Sequence, residues 1–195
     1  LSGKSGLRSG RQKGTQTTFS HPNFTSRIEY FGLNKLKIGV SGYFGKTQSS
    51  LYNNVSSENP TSLAQADSSV INLSMLTFDA RYKNKGFEAT GQFVMANLAN
   101  TSQYNSMFGT NVGSAFQGYY VEAGYDVLRL LKKKTDKRLV AFCRYENYNT
   151  HHKVENELTK NNSYNRIDIT TGLTFHIDKG VAFKADFQQF KNKAA

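Results

Sequence analysis

Apolar and polar residues alternate over long stretches of the chain, with apolar side chains on every second position. The clearest stretch covers residues 172–187, which are interrupted only by the turn sequence Asp178-Lys179-Gly180. Similar stretches surround Asn84-Lys85-Gly86 and Gly32-Leu33-Asn34. A period of two is that of a β-strand with two unlike faces. Asn and Gly also supply the positive φ that tight hairpins need, so we predict antiparallel hairpins.

The pattern predicts about eight strands in four hairpins. Their approximate positions are residues 24–31, 35–46, 70–83, 87–97, 116–127, 138–149, 165–176 and 181–190. Strands one, three and seven are followed by turns of a few residues. Strands two, four and six are followed by long polar loops at residues 47–69, 98–115 and 150–164. The remaining connection, residues 128–137, contains a possible short helical turn at 127–131.

Long alternating strands with short turns at one end and long loops at the other are typical of a transmembrane β-barrel. The mean hydropathy of −0.57 is compatible with this fold, because only every second side chain of such a strand meets lipid. No apolar run approaches the roughly 18 residues of a membrane helix. We therefore predict an all-β chain that forms an antiparallel transmembrane β-barrel.

The polar face of the predicted strands carries charges of both signs, which suits a wet lumen where opposite charges pair across strands. Arginines lie two positions from Asp79 and from Asp168 on the same face. Ion pairs explain these carboxylates better than acid–base chemistry does. The candidate pore-lining residues are Arg27, Lys37, Asp79, Arg81, Glu88, Glu122, Asp126, Arg144, Glu146, Arg166, Asp168, Lys184 and Asp186.

The net charge is +11, but the basic residues do not form one large concentrated patch. Basic residues are scattered along strands and loops, so nucleic acid is not an expected partner. The one dense run, Lys132-Lys133-Lys134, followed by Lys137-Arg138, is a solvated turn in the simpler interpretation. In the functional interpretation, the excess positive charge makes a pore prefer anions over cations.

We predict a single, partial domain over residues 1–195, with four β-hairpins in residues 24–190. Residues 1–23 are expected to be weakly ordered or to hold one polar strand around residues 6–12. Neither end resembles the end of a complete barrel, so we expect the chain to be the interior or C-terminal part of a longer one.

The sequence offers no arrangement that predicts catalysis. The group His151-His152, Glu155 and Glu157 lies in a predicted polar loop, where solvated side chains are a better interpretation than a metal site. A single cysteine excludes an intrachain disulfide. No nucleophile–base pair can be located, so we expect no enzyme activity, no metal and no cofactor.

Several segments together resemble a known family. They are Gly6-Leu7-Arg8-x-x-Arg11-Gln12, Lys37-Ile38-Gly39-Val40-Ser41-Gly42-Tyr43-Phe44-Gly45, Phe78-Asp79-Ala80-Arg81-Tyr82-Lys83-Asn84-Lys85-Gly86-Phe87-Glu88-Ala89, Gln117-Gly118-Tyr119-Tyr120-Val121-Glu122-Ala123-Gly124-Tyr125-Asp126-Val127-Leu128 and Arg144-Tyr145-Glu146-x-Tyr148-Asn149-Thr150. In this order they resemble the C-terminal half of the phosphate- and polyphosphate-selective porins.

The resemblance implies a barrel of about sixteen strands or more, often a homotrimer, in the outer membrane of a Gram-negative bacterium. It also implies passive diffusion of small hydrophilic solutes, with anions such as phosphate preferred, and makes Arg81, Arg144 and Arg166 candidates for lumen positions. Two alternatives stay open. One is a small structural or adhesive outer-membrane barrel, and the other is a soluble ligand-binding β-barrel.

Overall fold

The structure is a computed structural model that describes residues 1–10, 12, 14, 17–55, 59–131, 135–156 and 158–194. Its strands are β1 (Phe24–Leu33), β2 (Leu36–Lys46), β3 (Asn72–Asn84), β4 (Phe87–Ala99), β5 (Ala115–Asp126), β6 (Arg138–Lys153), β7 (Asn165–Asp178) and β8 (Val181–Asn192). Its helices are α1 (Pro60–Ser68), α2 (Thr101–Phe108) and α3 (Val127–Leu130). Within the described residues, 3-10 turns cover Arg8–Gly10, Ser50–Asn54 and Asn162–Tyr164.

All eight strands belong to one antiparallel sheet in which spatial order follows chain order. The protein is therefore all-β, and the eight predicted strands are confirmed. The largest difference in strand ends is in β6, which continues to Lys153 instead of ending near residue 149. Within the described ranges β1 and β8 pair with one neighbour each, so the sheet is not closed.

Two of the predicted turns have different chemistry from the one expected. Asn84 is the last residue of β3 and pairs with Phe87, so it does not supply a positive φ. The two-residue loop is Lys85-Gly86, with φ of 46° and 90°, which is the type I′ requirement at both central positions. In the first hairpin Gly32-Leu33 still belongs to β1, and the residue with positive φ is Lys35, at 67°.

The long connections contain helices that the sequence did not predict. In the connection after β2, Asn59 caps α1 by accepting a hydrogen bond from the Ser62 amide at 3.2 Å, and Pro60 occupies its first turn, where its missing N–H costs nothing. The connection after β4 contains α2. Among the helices of the described residues, none has the length and apolar character needed to cross a membrane.

The connection after β2 is ordered by side-chain contacts. The Tyr52 hydroxyl donates a hydrogen bond to the Asp67 carboxylate at 2.6 Å. Burial, followed by this bond, raises the pKa of Tyr52 to about 12. His21 packs edge-on against Tyr52 with ring centroids 4.7 Å apart, and burial, followed by the charge of Lys46, lowers the pKa of His21.

The short helical turn expected at residues 127–131 is present as α3. The side chain of Asp126 begins it by accepting a hydrogen bond from the Leu128 amide at 3.3 Å. The run Lys132-Lys133-Lys134 lies outside the described residues, so neither interpretation of that run is tested.

We call the end of the sheet that carries residues 47–71, 100–114 and 154–164 the loop end, and the opposite end the turn end. We call the face with the thirteen candidate residues the polar face, and the other the apolar face. The apolar face is the more exposed: Val121 is 55% and Phe187 71% exposed, whereas on the polar face Asp126 is 3% and Asp168 5% exposed. This is the reverse of a soluble antiparallel sheet, whose buried face is apolar.

The main apolar cluster lies on the polar face at the loop end. Its buried members are Ile71, Ala96, Leu98 and Val112. The first residues of the chain cover it, and Leu1, Leu7, Leu73, Met75, Tyr104 and Phe116 pack against it. The polar face is therefore polar only over the middle and the turn end of the sheet.

The N-terminal segment is not the polar strand expected around residues 6–12. Leu7 packs into the apolar cluster, and Arg8–Gly10 forms a 3-10 turn. The Gly3 amide donates a hydrogen bond to the Asn111 side chain at 3.0 Å, and Gly3 in turn accepts one from the Thr150 hydroxyl. Such local turns cannot be read from a weakly alternating sequence. Arg11 lies outside the described residues.

Candidate functional site

The strand register brings all thirteen candidate residues to the polar face. One row across the sheet contains Lys37, Arg81, Thr90, Glu122 and Arg144, each directly opposite the next. Neighbouring rows lie two residues away along each strand, since side chains alternate. The alternation therefore predicted the correct face for every charged candidate.

Five pairs of opposite charges lie two residues apart on one strand of the polar face, four of them between candidates and one between Arg27 and the additional residue Glu29. Three of the five form ion pairs. Nitrogen–oxygen distances are 2.6 Å for Arg27–Glu29, 2.9 Å for Arg144–Glu146 and 3.7 Å for Lys184–Asp186. Each of these charges is largely neutralised where it stands.

The fourth pair, Asp79 with Arg81, does not form, contrary to the expectation from the sequence. Asp79 instead binds Arg27, which reaches across β2 to a distance of 2.8 Å. Gly39 lies between them on β2, and a Cβ there would be 2.5 Å from Arg27 Nη2 and 2.6 Å from Asp79 Oδ2. A side chain at this position would force the ends of the Arg27 and Asp79 side chains to move, so the small size of glycine favours the cross-strand pair.

As a consequence, two cations face each other without an acidic partner. Lys37 and Arg81 are directly opposite on β2 and β3, and neither belongs to an ion pair among the described residues. The Lys37 ammonium lies 5.2 Å from the centre of the Phe31 ring. Like charges directly opposite are destabilising, so this position favours an anion between them.

The turn end holds a network around Glu88. Its carboxylate binds Lys83 at 2.8 Å and also binds Arg138. Arg138 Nε lies 3.8 Å from Asp126, a carboxylate that is almost fully buried. Asp126 is further held by the Leu139 amide at 3.2 Å. Sequence reasoning missed Arg138, although its position two residues before Val140 places it on the polar face.

The middle of β5 and β6 combines charge with aromatic rings. The Arg144 guanidinium stacks 4.0 Å from the centre of the Tyr120 ring, a cation–π arrangement. Glu122 lies directly opposite Arg144 in the sheet. Arg144 is thus occupied by Glu146 and Tyr120, which makes it a weaker candidate for binding solute than its position alone implies.

The fifth pair, Arg166 with Asp168, also does not form an ion pair, contrary to the expectation from the sequence. Arg166 donates a hydrogen bond to the Tyr148 hydroxyl at 3.3 Å. Asp168 is buried, and its Oδ1 has no hydrogen-bond partner among the described residues. Both side chains line the same cavity.

The group of histidines and glutamates does not form the solvated loop that the sequence predicted. His151 lies within β6 and is 2% exposed. Its Nδ1 accepts a hydrogen bond from the Asn161 amide at 3.2 Å, so Nε2 carries the proton and donates to the Asn111 carbonyl at 2.6 Å. Glu157 lies outside the described residues, and within the described part no three His, Cys, Asp or Glu side chains converge as metal ligands.

No family model, curated protein or solved structure matches the chain. The resemblance to the phosphate- and polyphosphate-selective porins therefore rests on the quoted segments alone. The described residues of the polar face provide charges neutralised in pairs, a basic position outside any ion pair, and a cavity lined by charges of both signs that form no ion pair.

Proposed function

We propose that the chain forms part of the wall of a wide outer-membrane porin through which small hydrophilic solutes, anions in preference, diffuse passively. The observation that carries the proposal is the reversed burial of the sheet. Apolar side chains are exposed on one face of eight strands, while on the other face Asp126 and Asp168 are buried and eight of the thirteen candidate charges belong to ion pairs among the described residues. Lipid against the apolar face and water against the polar face would give each set of side chains a favourable environment.

The apolar face has the continuity that a lipid contact requires. Phe78, Phe93 and Tyr119 lie side by side in register on three neighbouring strands. Val40 extends the row to β2. Soluble monomers rarely expose continuous apolar patches of more than a few hundred Å². A soluble ligand-binding barrel would instead turn this face inward, so the exposure disfavours that alternative.

The open sheet favours a wide barrel over a small one. β1 and β8 have 10 and 12 residues, and each has one edge without a strand partner in the described ranges. Unpaired edges of that length are not stable in a membrane, where every backbone group must be bonded. In the proposed porin, further strands pair with both edges, as expected for about sixteen strands in a subunit of a homotrimer.

Anion preference is attributed to Lys37 and Arg81. They are candidate cations that face each other and form no ion pair among the described residues, whereas Arg27, Arg144 and Lys184 are neutralised by neighbours. A basic position with a low-dielectric wall raises the local concentration of anions. The resemblance makes phosphate the first multivalent anion to test.

The test is the conductance of the natural full-length protein, purified in detergent and inserted into planar bilayers under a KCl gradient. We expect discrete conductance steps and a reversal potential that favours chloride. The double variant Lys37→Gln/Arg81→Gln should lower the chloride-to-potassium permeability ratio at least about twofold, because it removes the uncompensated charge.

The matched control is Lys85→Gln/Lys179→Gln, which removes the same charge from two turns outside the polar face. It should leave the permeability ratio unchanged. An equal effect of both double variants would show that net charge, rather than the Lys37–Arg81 position, sets selectivity. A protein that stays soluble without detergent and gives no conductance would overturn the porin and favour the soluble ligand-binding barrel.

A further inference from the structure

Arg166 and Asp168 on β7 are unusual among the charged pairs of the polar face. They have the spacing and orientation of Arg27–Glu29 and Arg144–Glu146, which pair at 2.6 and 2.9 Å. Yet neither Arg166 nor Asp168 forms an ion pair with any described residue. A positive and a negative group thus lie near each other on one strand without forming a salt bridge.

Asp168 is the more costly of the two to leave unpaired. Its side chain is 5% exposed, and its Oδ1 lacks a hydrogen-bond partner within the described part of the chain. The residue directly opposite is Glu146, whose carboxylate is already bound by Arg144. A buried carboxylate without a partner is destabilising, so this position favours a cationic donor.

Arg166, in contrast, can bind an acidic partner. Its guanidinium lies 5.7 Å from the centre of the Tyr148 ring and bonds the Tyr148 hydroxyl, which uses few of its five N–H donors. Lys4 of the N-terminal segment lines the same cavity. Together they form a place for a carboxylate, which arginine binds with two parallel hydrogen bonds.

The two requirements meet in one cavity of about 520 Å³. Its charged lining residues are Lys4, Arg166, Asp168 and Lys191, and its aromatic ones are Tyr148, Tyr164 and Phe190. The volume lies within the range of small-molecule sites, and the three aromatic rings supply apolar wall between the charged groups. A simple cation is repelled by Arg166, Lys4 and Lys191, whereas a simple anion would leave the buried Asp168 without a partner.

We propose that this cavity binds a small zwitterion of the α-amino acid class. The ammonium group of the ligand donates to Asp168, and its carboxylate accepts from Arg166 and Lys4. The ligand thereby supplies the ion pairs that the other charged pairs of the sheet form internally. The proposal goes beyond passive diffusion and does not depend on it, since binding can be measured without any flow through a pore.

The experiment is saturation-transfer NMR on the protein in deuterated detergent micelles, with L-alanine as the probe. Propionate has the carboxylate without the ammonium, and ethylammonium has the ammonium without the carboxylate. We expect L-alanine to bind at least about tenfold more tightly than either, because only L-alanine satisfies both ends of the site. Asp168→Asn and Arg166→Gln should each weaken L-alanine binding about tenfold or more.

Asp178→Asn and Arg129→Gln are matched controls, because they make the same changes at the turn end, and they should leave L-alanine binding unchanged. Lys4 is exposed, so Lys4→Gln should leave folding unchanged and weaken L-alanine binding a few-fold. No L-alanine signal with the unmodified protein, or propionate binding as tightly as L-alanine, would overturn the proposal. Binding without conductance would reject only the porin, and conductance without binding would reject only this site.

Discussion

The two ends of the polar face differ in burial: the loop end is a covered apolar cluster, and the turn end is a partly exposed network of charges. At the loop end Ile71 and Val112 are fully buried, and the cluster around them is covered by the first residues of the chain. At the turn end Glu88 binds Lys83 and Arg138, all partly exposed. One face of one sheet is thus a packed interior at one end and a charged surface at the other, because covering segments reach only the loop end.

This difference predicts where stability resides. Burying an aliphatic side chain contributes about 1.5–3 kcal/mol, whereas an exposed ion pair contributes about 0–1 kcal/mol. We therefore expect the loop end to dominate the free energy of unfolding. At the turn end, only groups that are themselves buried should have large effects.

The largest expected effect is that of Ile71→Ala. Ile71 has no exposed surface, so the substitution leaves a cavity in the loop-end cluster and should lower the free energy of unfolding by about 2–4 kcal/mol. Urea unfolding in detergent micelles, followed by far-UV circular dichroism, measures it.

Ile28→Ala is the control for that measurement. Ile28 has the same side chain on the apolar face, where it is 76% exposed, so its truncation leaves no internal cavity and should cost less than about 1 kcal/mol. Equal losses for both variants would mean that the loop-end cluster is no better packed than the exposed face, and the contrast between the two ends would fail.

The next effect concerns the one nearly buried carboxylate at the turn end. Asp126 accepts hydrogen bonds from the Leu128 and Leu139 amides at 3.3 and 3.2 Å. Asp126→Ala should cost about 2 kcal/mol, because both amides lose their acceptor. Asp126→Asn keeps an acceptor oxygen and should cost less. The exposed Asp136→Ala, measured by the same unfolding assay, should change stability by under about 0.5 kcal/mol.

If Asp136→Ala proved as harmful as Asp126→Ala, net negative charge at the turn end would matter more than the buried hydrogen bonds. The turn end would then be stabilised mainly by its charges, whereas the loop end is stabilised by apolar packing.

The strands were predictable because their signal is local. A period of two persists through each strand, and it fixed both the number of strands and the face of every charged candidate. The helices α1 and α2 were missed because they lie in polar segments whose only signals are capping residues such as Asn59-Pro60. The apolar cluster was not predicted, although the alternation places the apolar side chains of Leu73 and Met75 on the polar face.

The pairing of charges was less predictable because it depends on distances across strands. Spacing alone treats Asp79–Arg81 and Arg144–Glu146 as equivalent. Only the register shows that Arg27 reaches Asp79 past Gly39 and leaves Arg81 unpaired. Likewise, the sequence places His151 in a polar loop, and only the fold shows it buried between segments distant in the chain.

The smallest effect, about 1 kcal/mol, is expected in the turns themselves. Gly86 has φ of 90°, a conformation that a side chain disfavours, and an added Cβ would lie 2.7 Å from Arg129 Cδ. Gly86→Ala should therefore destabilise the β3–β4 hairpin, as measured by urea unfolding.

Gly180→Ala is the control, because Gly180 is not among the glycines with positive φ and no atom lies within 4 Å of its added Cβ. A loss at Gly180 equal to that at Gly86 would show that chain flexibility, not the left-handed backbone, determines the cost.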